Sequence, residues 1–156
     1  LQMANIVAII ANKGWYYTPH FVRSIGSKGP KPEFKKRHWT MVNNRHYDAV
    51  IEGMRMVVNV PGGTGKMARL EDIVVCGKTG TVQNPHGEDH SVFFAFAPMN
   101  KPKIAVAVFV ENAGWGGTWA APIASLIIEK YLKGKVSDPE KEKRILEAQI
   151  AYKSAN

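Results

Sequence analysis

Lys78-Thr79-Gly80-Thr81 sets a cation, two hydroxyls and a residue without a side chain next to one another, inside the run Cys76-Gly77-Lys78-Thr79-Gly80-Thr81-Val82-Gln83. Such groups stabilise negative charge, and a glycine among them lets a second chain lie against the backbone as an added strand. Other chemistries fail on spacing. A phosphate loop needs Gly, four residues, then Gly-Lys-Ser/Thr. Gly65-Lys66 is followed by Met67 and has Val60 at the first position, and Gly77-Lys78-Thr79 has Asp72 there. His86, Asp89 and His90 look like metal ligands, but Pro85 and Gly87 oppose the helix that would align them, so a locally hydrogen-bonded loop and no metal are expected. The one cysteine, Cys76, excludes an internal disulfide and a cysteine-based zinc site.

The elements that must position these residues can be read from periodicity. Met3, Ile6, Val7 and Ile10 predict a helix over Leu1 to Ala11 that ends at Asn12-Lys13-Gly14. It starts uncapped in a chain that begins with Leu, as a piece of a longer sequence would. Tyr17 to Val22 is expected to be extended because Pro19 disfavours helix before it, and Trp39 to Val42 to be a short strand. Tyr47, Val50, Ile51, Met54 and Val57 predict a helix from Tyr47 to Val58, closed by Pro61-Gly62-Gly63-Thr64-Gly65. Strands follow at Ile73 to Cys76, broken at Gly77, then Ser91 to Ala97 and Ile104 to Val110, the last two joined by a hairpin-length turn at Pro98 to Pro102. A helix from about Ala120 to Leu132, capped by Thr118 and ended by Gly134, precedes a charged helix starting at Ser137 or Asp138 with Glu140 as capping-box partner. The expected fold class is α+β: an antiparallel three-strand meander flanked by helices. Ile104 to Val110 carries no charge and reads as a strand covered on both faces, so its free edge should be paired by a second copy, another chain, or Tyr17 to Val42.

Composition narrows the class further. With 45% apolar and 10% aromatic residues in 156, the chain has material for a core. It has no apolar run near the ~20 residues of a membrane span and no secretory signal, so any anchor is expected outside it. The net charge of +8 is concentrated: residues 23 to 45 carry seven Lys/Arg and one Glu. Residues 28 to 37 are broken by Pro and Gly and read as a solvated loop, with a polyanion-binding module as the alternative from a different class. Phe34 alone interleaves those charges, too little for stacking on nucleic acid, so no nucleic-acid partner is expected.

Lys78-Thr79-Gly80 resembles the third motif of the penicillin-recognising serine acyl transferases. Its context sharpens the resemblance: Gly63-Thr64-Gly65 upstream, Thr81-Val82-Gln83-Asn84-Pro85-His86-Gly87 after it, then His90 to Pro98, Ala105 to Asn112 and Gly117-Thr118-Trp119-Ala120-Ala121-Pro122. Together these are similar to the class B penicillin-binding proteins, most of all the penicillin-binding protein 2 branch, from Leu1 to about Leu132. The resemblance implies the C-terminal portion of a transpeptidase domain over residues 1–134, followed by a charged helical tail over 135–156. It implies a D,D-transpeptidase that cross-links peptidoglycan stem peptides through an acyl-serine and is acylated by β-lactams. Lys78 and Thr81 would be catalytic, Thr81 through its backbone amide in the oxyanion hole, and Thr79, Gly80 and Thr81 would bind the D-Ala-D-Ala end. No cofactor is implied. A glycosyltransferase partner and the periplasmic face of the inner membrane are implied for the full-length protein. A serine β-lactamase or β-lactam sensor of the same fold is the alternative, against which stand Asn84 to Gly87 and the Gly116 to Pro122 stretch.

The family's Ser-x-x-Lys is absent: Ser24, Ser27, Ser91, Ser125, Ser137 and Ser154 all lack a lysine three residues on. Ser154-Ala155-Asn156 has the letters of Ser-x-Asn but follows Lys78 and reads as coincidence. The isolated chain is therefore expected to take no covalent label from a fluorescent penicillin. A label that survives boiling on this chain alone would place the nucleophile within it.

Overall fold

The computed structural model describes residues 1–148; Ser154-Ala155-Asn156 lies outside the described residues. The element order is α1 (Gln2–Ala11), β1 (Trp15–Tyr17), β2 (Arg37–Trp39), α2 (Arg45–Asn59), β3 (Cys76–Val82), β4 (His90–Ala97), β5 (Ile104–Val110), α3 (Ala120–Lys133) and α4 (Pro139–Leu146). Strands β3, β4 and β5 form an antiparallel meander in that order, and β1 pairs with β2 in a separate ribbon. This is the expected α+β arrangement.

The central strand β4 organises both layers through the two-residue alternation of a strand. Phe93, Ala95 and Ala97 face one side, where they pack with Val58, Val75 and the buried stripe Ala120, Ala121, Ala124 and Ile128 of α3. Phe96 faces the other side, with Val7 of α1, Tyr47, Ile51 and Met54 of α2, and Cys76. Phe93 and Phe96 are both fully buried, and each contributes about 1.5–3 kcal/mol of hydrophobic stabilisation. Because β3 pairs with β4 in the register Thr79↔Phe93 and Thr81↔Ser91, the hydroxyls of Thr79 and Thr81 share the α3 side of the sheet.

Several boundaries differ from the sequence reading. The first strand of the meander runs from Cys76 to Val82, and Ile73 to Val75 precedes it. Gly77 is inside the strand because a side chain there would overlap the Phe93 ring; its glycine serves packing, not termination. The Trp39 to Val42 strand lies two residues earlier, at Arg37–Trp39, set by the pairing of Trp15 with Trp39. The cap of α3 is not the Thr118 side chain: the Ala120 amide donates to Ser91 Oγ at 3.1 Å. Ser137 likewise leaves the capping role to Asp138, whose Oδ1 accepts from the Lys141 amide at 2.9 Å.

The coverage of β5 is also corrected. Val106 is buried, but Ala107 is exposed and Phe109 is 53% exposed, because α1 covers only the early part of that face. Tyr17 to Val42 does not pair with β5; its strand residues belong to the β1–β2 ribbon, and among the described residues β5 ends the sheet.

The C-terminal segment is tied down by one buried acid. Glu129 is 3% exposed; its Oε1 accepts from Lys133 Nζ at 3.0 Å and its Oε2 from the Ser137 amide at 3.1 Å. Lys133 also bridges to Asp72 at 2.6 Å. Burial pushes the Glu129 carboxyl up, but the hydrogen bonds from Ser137 and Lys133 outweigh it and hold it below its ordinary value of 4.5. A depressed carboxyl stabilises the fold above its unfolded-state value and loses that contribution as pH falls through the folded-state one. Unfolding free energy measured against pH is therefore expected to fall below about pH 4.5. In Glu129→Gln that acid limb should be shallower; an unchanged limb would show that Glu129 contributes nothing to it.

Candidate active site

Three segments of the chain converge on one face of β3. The first is the turn after α2, in which Gly63 folds against the last turn of that helix, where a side chain would overlap the Val57 carbonyl. It presents Thr64, whose Oγ1 lies 2.9 Å from Thr79 Oγ1. The second is β3 itself, with Thr79 and Thr81. The third is the strap Trp115 to Thr118 leading into α3. Its Trp115 carbonyl accepts from Ser91 Oγ at 2.9 Å. A side chain on Gly116 would overlap the carbonyls of Gly80 and Val92, and one on Gly117 the carbonyl of Thr64. Backbone therefore lies directly on backbone at both crossings.

Between these segments is an open cleft of about 490 Å³ whose walls include Thr64, Thr79, Thr81, Gly117, Lys66 and Arg144. Neither Asp nor Glu is among its described lining residues. Lys78 stands apart. Strand alternation turns it away from Thr79 and Thr81, and its exposed ammonium reaches the Thr79 carbonyl at 2.8 Å. That carbonyl faces the outer edge of β3, which no strand pairs among the described residues, and Thr81, two residues on, offers its amide and carbonyl on the same edge. Gly80 adds no bulk between them, and its own amide and carbonyl lie beside Val92 of β4.

The sequence-expected residues Thr79, Gly80 and Thr81 are thus together on one strand, and Lys78 is at its edge. Thr64, Gly116 and Arg144 were not singled out as site residues. Gly63-Thr64-Gly65 and Gly117-Thr118-Trp119 marked two of the segments by their glycines, but Arg144 lies on a charged helix whose sequence gives no sign of what it touches. The remaining candidates have local roles. His86 and Asp89 belong to a loop in which the His86 amide donates to Asn84 Oδ1 at 3.0 Å and Asp89 Oδ1 accepts from the Asn84 amide at 3.2 Å. His90 Nδ1 accepts from the Asn112 amide at 3.0 Å. Cys76 is no nucleophile, since burial pushes its thiol up to about 11. Buried Ser125 donates to the Pro122 carbonyl at 2.8 Å. In the basic segment, Phe34 is stacked on His20 with ring centroids 4.2 Å apart.

Residues 1–129 match the family model described as the penicillin binding protein transpeptidase domain. The chain belongs to this family. It is 33% identical to the peptidoglycan D,D-transpeptidase MrdA of Haemophilus influenzae over 160 aligned residues, covering 90% of the chain and 25% of that relative. Its fold is similar to that of Pseudomonas aeruginosa PBP2 in complex with WCK 5153, with a TM-score of 0.72 and 34% identity over 88% of this chain and 31% of the other. It is also similar to penicillin-binding protein A of M. tuberculosis in its imipenem acyl-enzyme complex, with a TM-score of 0.65 and 32% identity over 83% of this chain and 31% of the other. The chain spans about a quarter of the length of the first of these relatives. No helix of the described residues is long and apolar enough to cross a membrane.

The strap crossing makes a direct prediction for this transpeptidase-family site. Gly116→Ala in the complete protein should lower the free energy of unfolding by about 1–3 kcal/mol, because the neighbours it meets are backbone carbonyls that cannot rotate away. An unchanged denaturation midpoint would show that the strap does not lie on β3.

Proposed function

We propose that this chain forms the substrate-carboxylate and oxyanion wall of a peptidoglycan D,D-transpeptidase that is also acylated by β-lactams. The observation that carries the reading is the placement of Thr79 and Thr81 on the cleft wall of an edge strand whose outer side no strand pairs among the described residues. A stem peptide ending in D-Ala-D-Ala would lie along that edge as an added strand. The hydroxyls of Thr79 and Thr81 would hold its terminal carboxylate.

In this reading a serine from sequence outside these residues attacks the penultimate D-Ala carbonyl. The Thr81 amide donates to the oxygen as it becomes an oxyanion, and one such donor is worth about 3 kcal/mol in the transition state. The terminal D-Ala leaves as the amine, and an acceptor amine later takes the acyl group from the serine. A β-lactam follows the first half of this course, with its ring nitrogen as the leaving group still tethered to the acyl-enzyme. Lys78, at the outer edge of the same strand, supplies positive charge where the nucleophile must approach. The periplasmic face of the inner membrane and a glycosyltransferase partner belong to this proposal for the whole protein. Similarity to peptidoglycan D,D-transpeptidases supports cross-linking.

Lys78→Ala in the complete protein is expected to slow acylation by penicillin on the order of a hundredfold or more, with little change in stability because the side chain is exposed. Stopped-flow acylation and denaturant titration measure the two effects separately. An acylation rate within about threefold of wild type in a folded variant would remove Lys78 from the mechanism.

A further inference from the structure

The cleft has a cation that the proposed reaction does not use. Arg144 comes from α4, beyond the residues matched by the family model, yet it stands in the cleft wall with Thr79 and Thr81. Its position is set from both ends. The Ser137 amide is held by Glu129 and the Asp138 side chain caps the first turn, which fixes where α4 begins. At the other end, one terminal nitrogen of Arg144 donates to the Thr118 carbonyl at 3.0 Å, and the guanidinium lies over the Trp119 ring, 5.4 Å from its centroid.

A guanidinium carries five N–H donors, and its hydrogen bond to Thr118 occupies only one side of the fork. Among the described residues no carboxylate forms an ion pair with Arg144. The same cleft holds Lys66 and no acid among its described lining, so it favours an anionic ligand. The guanidinium is bonded to the strap at Thr118, in the same cleft wall as Thr79 and Thr81. A single ligand carboxylate held by the Thr79 and Thr81 hydroxyls would leave the remaining donors of the Arg144 fork open.

We propose that Arg144 forms a second anion subsite, which selects ligands carrying a further carboxylate on the part of the molecule that lies away from the reactive terminus. Arg is suited to this because its planar fork takes a carboxylate in a two-point, charge-assisted contact that an amide cannot match. The inference rests on the transpeptidase reading and deepens it by naming a property of the substrate.

The test uses the complete protein and two penicillins that differ only in the acyl side chain, one ending in a carboxylate and the other in the corresponding carboxamide. Both keep the ring carboxylate. Wild type should be acylated by the carboxylate form with the higher second-order rate constant. Arg144→Gln should lower that constant about tenfold for the carboxylate form and by less than about twofold for the amide, while the first-order acylation step at saturation stays unchanged. Arg144→Lys should recover part of the difference. Equal losses for both penicillins would overturn the proposal, since they would mean that Arg144 acts on the ring carboxylate or only on the fold. So would a wild-type protein indifferent to the side-chain charge. A wild-type protein acylated by neither penicillin would instead overturn the transpeptidase reading itself, and the subsite with it.

Discussion

The site depends on backbone lying against backbone where the Trp115 to Thr118 strap crosses β3. A side chain on Gly116 would meet the carbonyls of Gly80 and Val92, and one on Gly117 the carbonyl of Thr64. Only glycine permits that approach, and the approach is what gathers three distant segments into one cleft. The Ser91 side chain holds the crossing in place: it donates to the Trp115 carbonyl and accepts from the Ala120 amide, so one hydroxyl secures both the strap and the start of α3. Ser91 is fully buried, where a hydroxyl without partners would cost about 1–3 kcal/mol. With both partners present, the β4 residue opposite Thr81 is a fixed point for the cleft wall.

Strand β3 is held from behind by the same logic. Phe93 fills space that glycine at positions 65 and 77 leaves open, so its ring ties the turn after α2 to the start of β3. The turn then offers Thr64 to Thr79. Rigid apolar packing on one part of β3 and hydroxyls on the next are consecutive stretches of one face, Gly77 to Thr79 to Thr81. An active-site strand needs this division: a buried end that cannot move and an exposed edge that can accept a ligand.

Much of the fold was legible because apolar periodicity reports burial directly. The helices at Gln2–Ala11, Arg45–Asn59 and Ala120–Lys133 and the strand at Ile104–Val110 follow their patterns closely. The Gly77 position was misread because a glycine at a strand end and a glycine beneath a phenyl ring look alike in sequence; only the partner Phe93 distinguishes them. The caps at Thr118 and Ser137 were misread for a similar reason. Local spacing proposes a capping side chain, but at α3 the tertiary acceptor Ser91 takes the Ala120 amide, and at α4 the next residue, Asp138, caps the first turn while the Ser137 amide goes to Glu129. Apolar alternation in β5 suggested cover on both faces, although β-branched residues with Ala107 and Phe109 between them can also leave one face half open. In the site, Thr79, Gly80 and Thr81 carried a recognisable motif. Arg144 carried none, since its role depends on how α4 folds back over Trp119.

The central claim is that β3 is the wall that receives the ligand's carboxylate and acyl oxygen. A crystal structure of the complete protein acylated by benzylpenicillin tests it most directly. The account predicts the ring carboxylate within about 2.7–3.2 Å of the Thr79 or Thr81 hydroxyl and the acyl oxygen at a similar distance from the Thr81 amide. An acyl-enzyme whose carboxylate and acyl oxygen both lie away from β3, with its outer edge untouched, would contradict it.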